Sequence, residues 1–191
     1  MPVNISNFTS SFKKDLARSS KFDVYIPVPV ILAPMINVGK NLHLRCESTE
    51  LPGRTFATTE RKIGSVPIQK YPYQSSYNDI TMNFIVSGDM SEKLFFDVWM
   101  DVINPTSNFN FAYRSNYITD IAITQYDMRK QVTYKTVLMG AYPIAVNQLD
   151  LDWTNENYHK LSVMFAYTNW EFATVKEITQ NIYSQAINSF L

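Results

Sequence analysis

The segment Leu161-Ser162-Val163-Met164-Phe165-Ala166-Tyr167 sets Leu161, Val163, Phe165 and Tyr167 at every second position. In an extended chain successive side chains point to opposite faces, so these four groups share one face and the segment reads as a half-buried strand. Just upstream, Leu149, Leu151 and Trp153 alternate with Asp150 and Asp152, which predicts a partner strand joined through Asn155-Glu156-Asn157. Further back, Ile121 and Ile123 alternate with Ala122 and Thr124, and Val132, Tyr134, Thr136 and Leu138 run opposite Thr133, Lys135 and Val137. The turn from Asp127 to Lys130 makes these two runs a hairpin. Antiparallel pairing follows, and a meander is the simplest arrangement of the second half.

The first half is read the same way. Phe22, Val24 and Ile26 alternate with Asp23 and Tyr25; after a proline-broken segment Leu42, Leu44 and Cys46 alternate with His43, Arg45 and Glu47. These predict two strands that neighbour each other. Ile80, Met82, Phe84 and Val86 predict another half-buried strand, stopped by Ser87-Gly88-Asp89. Ser91 is placed to cap a helix over 91–103 whose solvent stripe is Lys93, Asp97 and Asp101. Its remaining positions are apolar, an arc too wide for a helix that covers only its own sheet. A second side must therefore be covered, by loops of the same chain or by another subunit. Asn104-Pro105 ends the helix.

Three segments lack a place in that core. Phe8, Phe12 and Leu16 recur at a spacing of four within an N-terminal arm, residues 1–21. The stretch from Gly53 to Asn78 shows no sustained period, and a structureless loop of that length is expected to be ordered by a neighbour. After the β domain of residues 22–171, residues 172–191 carry Val175, Ile178, Ile182, Ala186, Ile187 and Phe190 near helical spacing, a candidate partner-binding tail. The fold class expected is mainly β: an antiparallel sandwich or small barrel with one flanking helix, an N-terminal arm, a long inter-subunit loop and a C-terminal helical tail.

Composition narrows the function. Seventeen basic and seventeen acidic residues cancel, leaving no net field to hold a phosphate backbone or an anionic membrane. Apolar residues make up 46% and charged residues 18%, with 12 Tyr, 12 Phe and 3 Trp, more flat side chains than one small core needs. Some are expected to be buried against partners. Cys46 is the one cysteine, which excludes an internal disulfide and a Cys-based zinc site. The N-terminus lacks the basic-then-apolar pattern of a secretory signal. The most apolar window, Val24 to Ile36, is broken by Pro27, Pro29 and Pro34 and is shorter than the roughly 20 residues of a spanning helix.

The usual nucleotide, metalloprotease and nucleophile-elbow motifs are absent from the sequence. His43 and His159 are read as solvated or interfacial, and Cys46 as a small core residue. Asp150 and Asp152 on one strand face would stand about 7 Å apart, a spacing open to acid/base work, but alternating Asp on a strand is ordinarily its solvated face. No cofactor and no metal is expected, and the protein is not expected to be an enzyme. A different reading, a carbohydrate-binding β-sandwich, would have Tyr71, Tyr73 and Tyr77 stack on sugar rings.

The order of segments resembles the tail tube family of contractile-tailed bacteriophages. The likeness is carried by Ala17-Arg18-Ser19-Ser20-Lys21-Phe22-Asp23-Val24, by Cys46-Glu47-Ser48-Thr49-Glu50-Leu51-Pro52-Gly53, and by Leu149 to Trp153 followed by Leu161 to Tyr167 and Trp170-Glu171. The resemblance implies hexameric rings stacked into a hollow tube inside a virion tail, made in the host cytoplasm. It implies sheath and baseplate proteins as partners, and DNA passing through without specific binding. On that reading, inter-subunit contacts fall to Arg54, Phe56, Arg61, Lys62, Tyr71, Tyr73 and Tyr77 in the long loop, Phe96 and Met100 on the helix, and Ile178 and Ile182 in the tail. Asp150 and Asp152 are candidate lumen-facing groups. A proline-rich insertion near Val28 to Asn37 and the C-terminal extension leave a baseplate-proximal tube-initiator ring as the alternative to the repeating tube.

Overall fold

The alternating runs at 121–124, 132–138 and 161–166 fold as strands of one antiparallel sheet, and the rest of the chain is arranged about it. The computed structural model describes residues 16–62, 64–65, 67–154 and 156–172, with the isolated positions Ile5, Phe8, Ser10 and Phe12. In chain order the strands are β1 (Phe22–Tyr25), β2 (Cys46–Thr49), β3 (Thr55–Arg61), β4 (Gln69–Ser76), β5 (Ile80–Ile85), β6 (Thr119–Tyr126), β7 (Val132–Val146), β8 (Lys160–Ala166) and β9 (Asn169–Phe172). The helices are α1 (Ile36–Arg45), α2 (Ser91–Ile103) and α3 (Arg114–Tyr117), and Val30–Met35 forms a 3-10 turn before α1.

The main sheet runs β1-β6-β7-β8-β5-β2, with β9 also paired to β7. β7 serves two halves. Its first part pairs with β6 and, from Thr136↔Phe172 to Met139↔Asn169, with β9; its last part pairs with β8 from Tyr142↔Ala166 to Val146↔Val163. The change of partner falls at Gly140, where φ is +61°, a left-handed conformation that costs glycine little. The Gly140 N–H there donates to the Asp120 carboxylate at 2.8 Å.

Both halves face one core. Val24, Ile121, Ile123 and Leu138 come from one half and Ile80, Met82, Phe84, Leu161, Val163 and Phe165 from the other, all within a single buried cluster. Each such side chain contributes about 1.5–3 kcal/mol of hydrophobic stabilisation when fully buried. α2 completes the cluster: the Phe96 ring lies 5.2 Å from Phe84 and 6.0 Å from Phe165, and the Trp99 indole N–H donates to the Tyr117 carbonyl at 2.9 Å. The second side of α2 is covered by α1, the 3-10 turn and α3 of the same chain, which decides between the two covers left open by the sequence. The fold is thus mainly β and antiparallel with one prominent helix, as expected, but the sheet does not close into a barrel: its path ends at β1 and β2.

Four local expectations are corrected. Leu42 to Arg45 is not a strand but the end of α1, because Gly39 and Leu42 turn one helical stripe into the core while Leu44 is left exposed. β1 consequently pairs with β6, and β2 with β5, instead of with each other. Leu149 to Trp153 forms no strand; Leu149 packs on the core, while Leu151 and Trp153 stand out in solvent. Ser91 is not the cap of α2. Met90 holds that position at φ 54°, and the Ser91 N–H reaches the Asp89 carboxylate at 3.4 Å.

Candidate assembly surfaces

The described residues of the stretch from Gly53 to Asn78 pair with one another instead of standing as an unpatterned loop. β3 and β4 pair as an antiparallel hairpin from Thr55↔Ser76 to Arg61↔Gln69, with a bulge between Ala57 and Thr58, and they form a sheet separate from the main one. Every residue of β4 and all but Ala57 of β3 are exposed. A free two-stranded hairpin is marginal in water, and here only its root is held. The Arg54 guanidinium lies over the Phe56 ring at 4.8 Å and the Tyr77 ring at 5.8 Å, Tyr77 leans on Tyr167 at 6.2 Å, and the Trp170 indole N–H donates to the Gly53 carbonyl at 3.2 Å. Along the strands Lys70 and Glu60 pair across at 3.5 Å, both exposed, a contact of little energetic weight.

The hairpin gathers Arg54, Phe56, Arg61, Lys62, Tyr71 and Tyr73 on one exposed projection, with Tyr77 half-buried at its root. Because Tyr77 packs on Tyr167, the three tyrosines do not make a single open platform for sugar stacking. On α2 the two expected contact residues part company. Met100 is half-buried, but Phe96 is fully enclosed by Phe84, Phe95, Trp99 and Phe165, so it offers no surface to a neighbour and is corrected to a core residue. Ile178 and Ile182 lie outside the described residues. In the N-terminal arm the Phe8 and Phe12 rings meet edge to face at 5.0 Å, consistent with their spacing of four.

At the opposite end of β5 and β8, residues 147–153 and 157–160 line an open concavity of about 890 Å³. Asp150 and Asp152 lie on this loop, not on a strand face, so the lumen-facing assignment loses its strand basis. Asp152 opens a tight turn: its carboxylate accepts from the Thr154 N–H at 2.9 Å and the Thr154 hydroxyl at 2.8 Å, which holds its pKa below the ordinary carboxylate value. Leu151, Trp153 and Tyr158 are exposed around the same loop. Beside it Lys160 is already engaged, with Glu47 at 2.7 Å and over the Tyr158 ring at 5.4 Å.

The other chemically notable groups have structural roles. His43 sits on α1, its Nδ1 2.6 Å from the Lys40 carbonyl; His159 lines the concavity, and its backbone carbonyl accepts from the Val86 N–H at 3.1 Å. Burial, aided by the nearby Asp23 charge, pushes the Cys46 thiol up to about 12, the mark of an unreactive packed group. Glu92 is fully buried; it pairs with Arg45 and accepts from the Ser87 N–H at 2.9 Å and the Ser87 hydroxyl at 2.8 Å, tying the end of α1 to the start of α2. Among the described residues no group of three or more His, Cys, Asp or Glu is arranged to hold a metal, and no helix is long and apolar enough to cross a membrane.

Sequence reasoning missed a further exposed set, Phe109, Phe111 and Tyr113, in the loop between α2 and α3. Their every-second-position spacing, Phe109-Asn110-Phe111-Ala112-Tyr113, was the available signal. It also missed the exposure of Leu151 and Trp153, which their alternation with Asp disguised.

The phage tail tube protein family matches residues 17–173, a span that takes in both halves of the sheet, the hairpin and all three helices. No curated protein matches the sequence. Several solved structures share the fold. A cryo-EM structure of an extracellular contractile injection system, the PVC sheath/tube terminator in the extended state, superposes with a TM-score of 0.59 at 15% identity, covering 84% of this chain and 99% of that one. The tube-terminating cap of the anti-feeding prophage gives 0.59 at 14% identity, covering 84% and 93%. The PVC sheath-tube complex in the extended state gives 0.58 at 15%, covering 89% and 97%. With the open antiparallel sheet, the flanking helix and the projecting hairpin in place, the match along most of its length shows that this chain belongs to the phage tail tube protein family and has a structural, tail-tube-related role.

Proposed function

We propose that this chain is a repeating structural subunit of a contractile tail's inner tube, six copies closing into a ring and rings stacking into a conduit for DNA. The observation that carries the reading is the state of its strands. Among the described residues β1 and β2 each have one partner, the main sheet stays open, and β3–β4 stands almost wholly in solvent. Exposed strand edges are templates for further pairing, and a ring of identical copies removes them by joining sheet to sheet. Arg54, Phe56, Arg61, Lys62, Tyr71, Tyr73 and Tyr77 of the hairpin, with Met100 on α2 and Ile178 and Ile182 of the C-terminal segment, are the proposed contact residues.

On this reading the tube sits in the virion tail, with sheath and baseplate proteins as partners, and the subunit does no catalysis. Equal numbers of basic and acidic residues suit a wall that lets DNA slide past without holding its phosphates. Negative-stain electron microscopy of the purified protein, alone and with baseplate supplied, tests the proposal. Six-fold rings and stacked tubes are expected; a species that stays monomeric at high concentration under both conditions overturns it.

A further inference from the structure

The hairpin and the loop 147–159 sit at opposite ends of the same two strands. β5 begins at Ile80, just after the hairpin, and ends opposite Lys160, where the loop returns to β8. The pairing from Ile80↔Phe165 to Ile85↔Lys160 separates the two features by about 17 Å of strand rise. β3 by itself is about 20 Å long.

Their charges are opposite. From Arg54 to Ser76 the cations are Arg54, Arg61, Lys62 and Lys70 against Glu60 alone; from Asn147 to His159 the carboxylates are Asp150, Asp152 and Glu156 with no Lys or Arg. Among the described ion pairs, none uses Arg61, Lys62, Asp150, Asp152 or Glu156. Lys160, which follows the loop in sequence, is taken by Glu47. Each feature also carries exposed apolar groups: Phe56, Tyr71 and Tyr73 on the hairpin, Leu151, Trp153 and Tyr158 around the concavity. Trp153 is 105% exposed, a large hydrophobic side chain with no cover from the described chain.

We infer that the concave loop 147–159 is the seat for the β3–β4 hairpin of a second copy of this chain, with Arg61 and Lys62 facing Asp150 and Asp152. The inference rests on the tube reading and names the surface by which one ring grips the next. Two unlike, complementary patches at opposite ends of one subunit make a head-to-tail contact, and such a contact propagates into an open stack where a self-complementary patch would stop at a dimer. Opposite charge suits one polarity of stacking and disfavours the reverse. Asp150 and Asp152 thereby become stacking residues in place of lumen-facing ones.

Charge exchange tests it. Asp150→Lys with Asp152→Lys, and separately Arg61→Glu with Lys62→Glu, should leave rings intact but shorten tubes at least tenfold; all four substitutions in one chain should restore length. If both exchanged proteins build tubes of unaltered length, or if the fourfold variant is not rescued, the inference falls while the tube reading stands. Unaltered protein that builds neither rings nor tubes with baseplate present sinks the tube reading itself. A second arm does not depend on tolerance of charge reversal. With Cys46→Ser, the pair Lys62→Cys and Asp152→Cys should give an oxidised ladder of multimers on a non-reducing gel. Each cysteine alone should stay at or below a dimer, and a pair that produces no ladder refutes the contact.

Discussion

Replacing Arg45 by Met and Glu92 by Gln, singly and together, separates the two halves of the buried ion pair that ties α1 to α2. The Glu92 side chain is 1% exposed and that of Arg45 is 32% exposed, and this difference decides the outcome. In Arg45→Met the carboxylate keeps the Ser87 N–H at 2.9 Å and the Ser87 hydroxyl at 2.8 Å, but it loses its countercharge and has no solvent to turn to. Removing one partner of a buried pair costs about 3–5 kcal/mol, and the retained hydrogen bonds place this case near 3 kcal/mol. In Glu92→Gln the guanidinium keeps its bond to Ser87 Oγ at 3.0 Å and reaches water, so the cost is about 1–2 kcal/mol. For a chain of this size each kcal/mol lowers Tm by about 2–4 °C, so Arg45→Met should melt roughly 6–12 °C below the parent protein and Glu92→Gln roughly 2–8 °C below. The double variant should be more stable than Arg45→Met alone, because the uncompensated carboxylate is gone. Thermal melts and urea titrations read by tryptophan fluorescence, repeated at several protein concentrations to separate folding from self-association, measure all three. A Glu92→Gln loss larger than that of Arg45→Met, or strict additivity in the double variant, would refute the reasoning.

Cys46 should be nearly inert in the folded protein: with its thiol raised from 9.0 to about 12, thiolate at pH 8 falls about a thousandfold, and iodoacetamide labelling should slow accordingly until urea is added. A native rate within tenfold of the unfolded one would contradict that burial. Since the folded pKa lies above the unfolded one, the stability this thiol contributes is whole below pH 9 and is lost as pH rises toward 12. Trp99→Phe removes part of a fully buried ring and the donor to the Tyr117 carbonyl, and should cost about 2–4 kcal/mol by chemical denaturation; a loss under about 1 kcal/mol would mean the site repacks. Gly140→Ala forces a side chain into φ +61°, with its Cβ 3.3 Å from Thr168 Oγ1, and should cost about 1–2 kcal/mol. An unchanged Tm would show that β7 does not need that bend. Replacing Arg54 to Ser76 by a short Gly-Ser linker should leave the core folded by circular dichroism and abolish tubes in electron microscopy; tubes of normal length would remove the hairpin from the assembly.

The strands and the helix that were read correctly have one property in common. β1, β5, β6, β7, β8 and α2 each turn one face into the core, and the periodicity of a sequence records that burial. Ile80, Met82 and Phe84, then Leu161, Val163 and Phe165, are buried at every second place, while Phe95, Phe96, Trp99 and Ile103 follow a helical stripe. Where that cause is missing, the signal fails. β3 and β4 show no period because neither of their faces is buried within the chain, and periodicity cannot mark an element that a core does not need. The opposite error arose at Leu42, Leu44 and Cys46, where a two-residue spacing overlaid the three- and four-residue spacing of Val38, Gly39 and Leu42 that places α1 on the core. At Leu149 to Trp153 the alternation was real, but the apolar side chains of Leu151 and Trp153 face solvent.

By itself the sequence determined the elements with one buried face, the neutral charge, the lack of catalytic motifs and a resemblance that extends along most of the chain, because these are local or compositional properties. Only the tertiary structure decided that β1 lies against β6 and β5 against β8, that α2 is covered by its own chain, and that a basic hairpin and an acidic loop stand at opposite ends of one pair of strands. Which distant segments meet is a matter of shared packing and edge pairing across the whole domain, and no window along the chain carries that information.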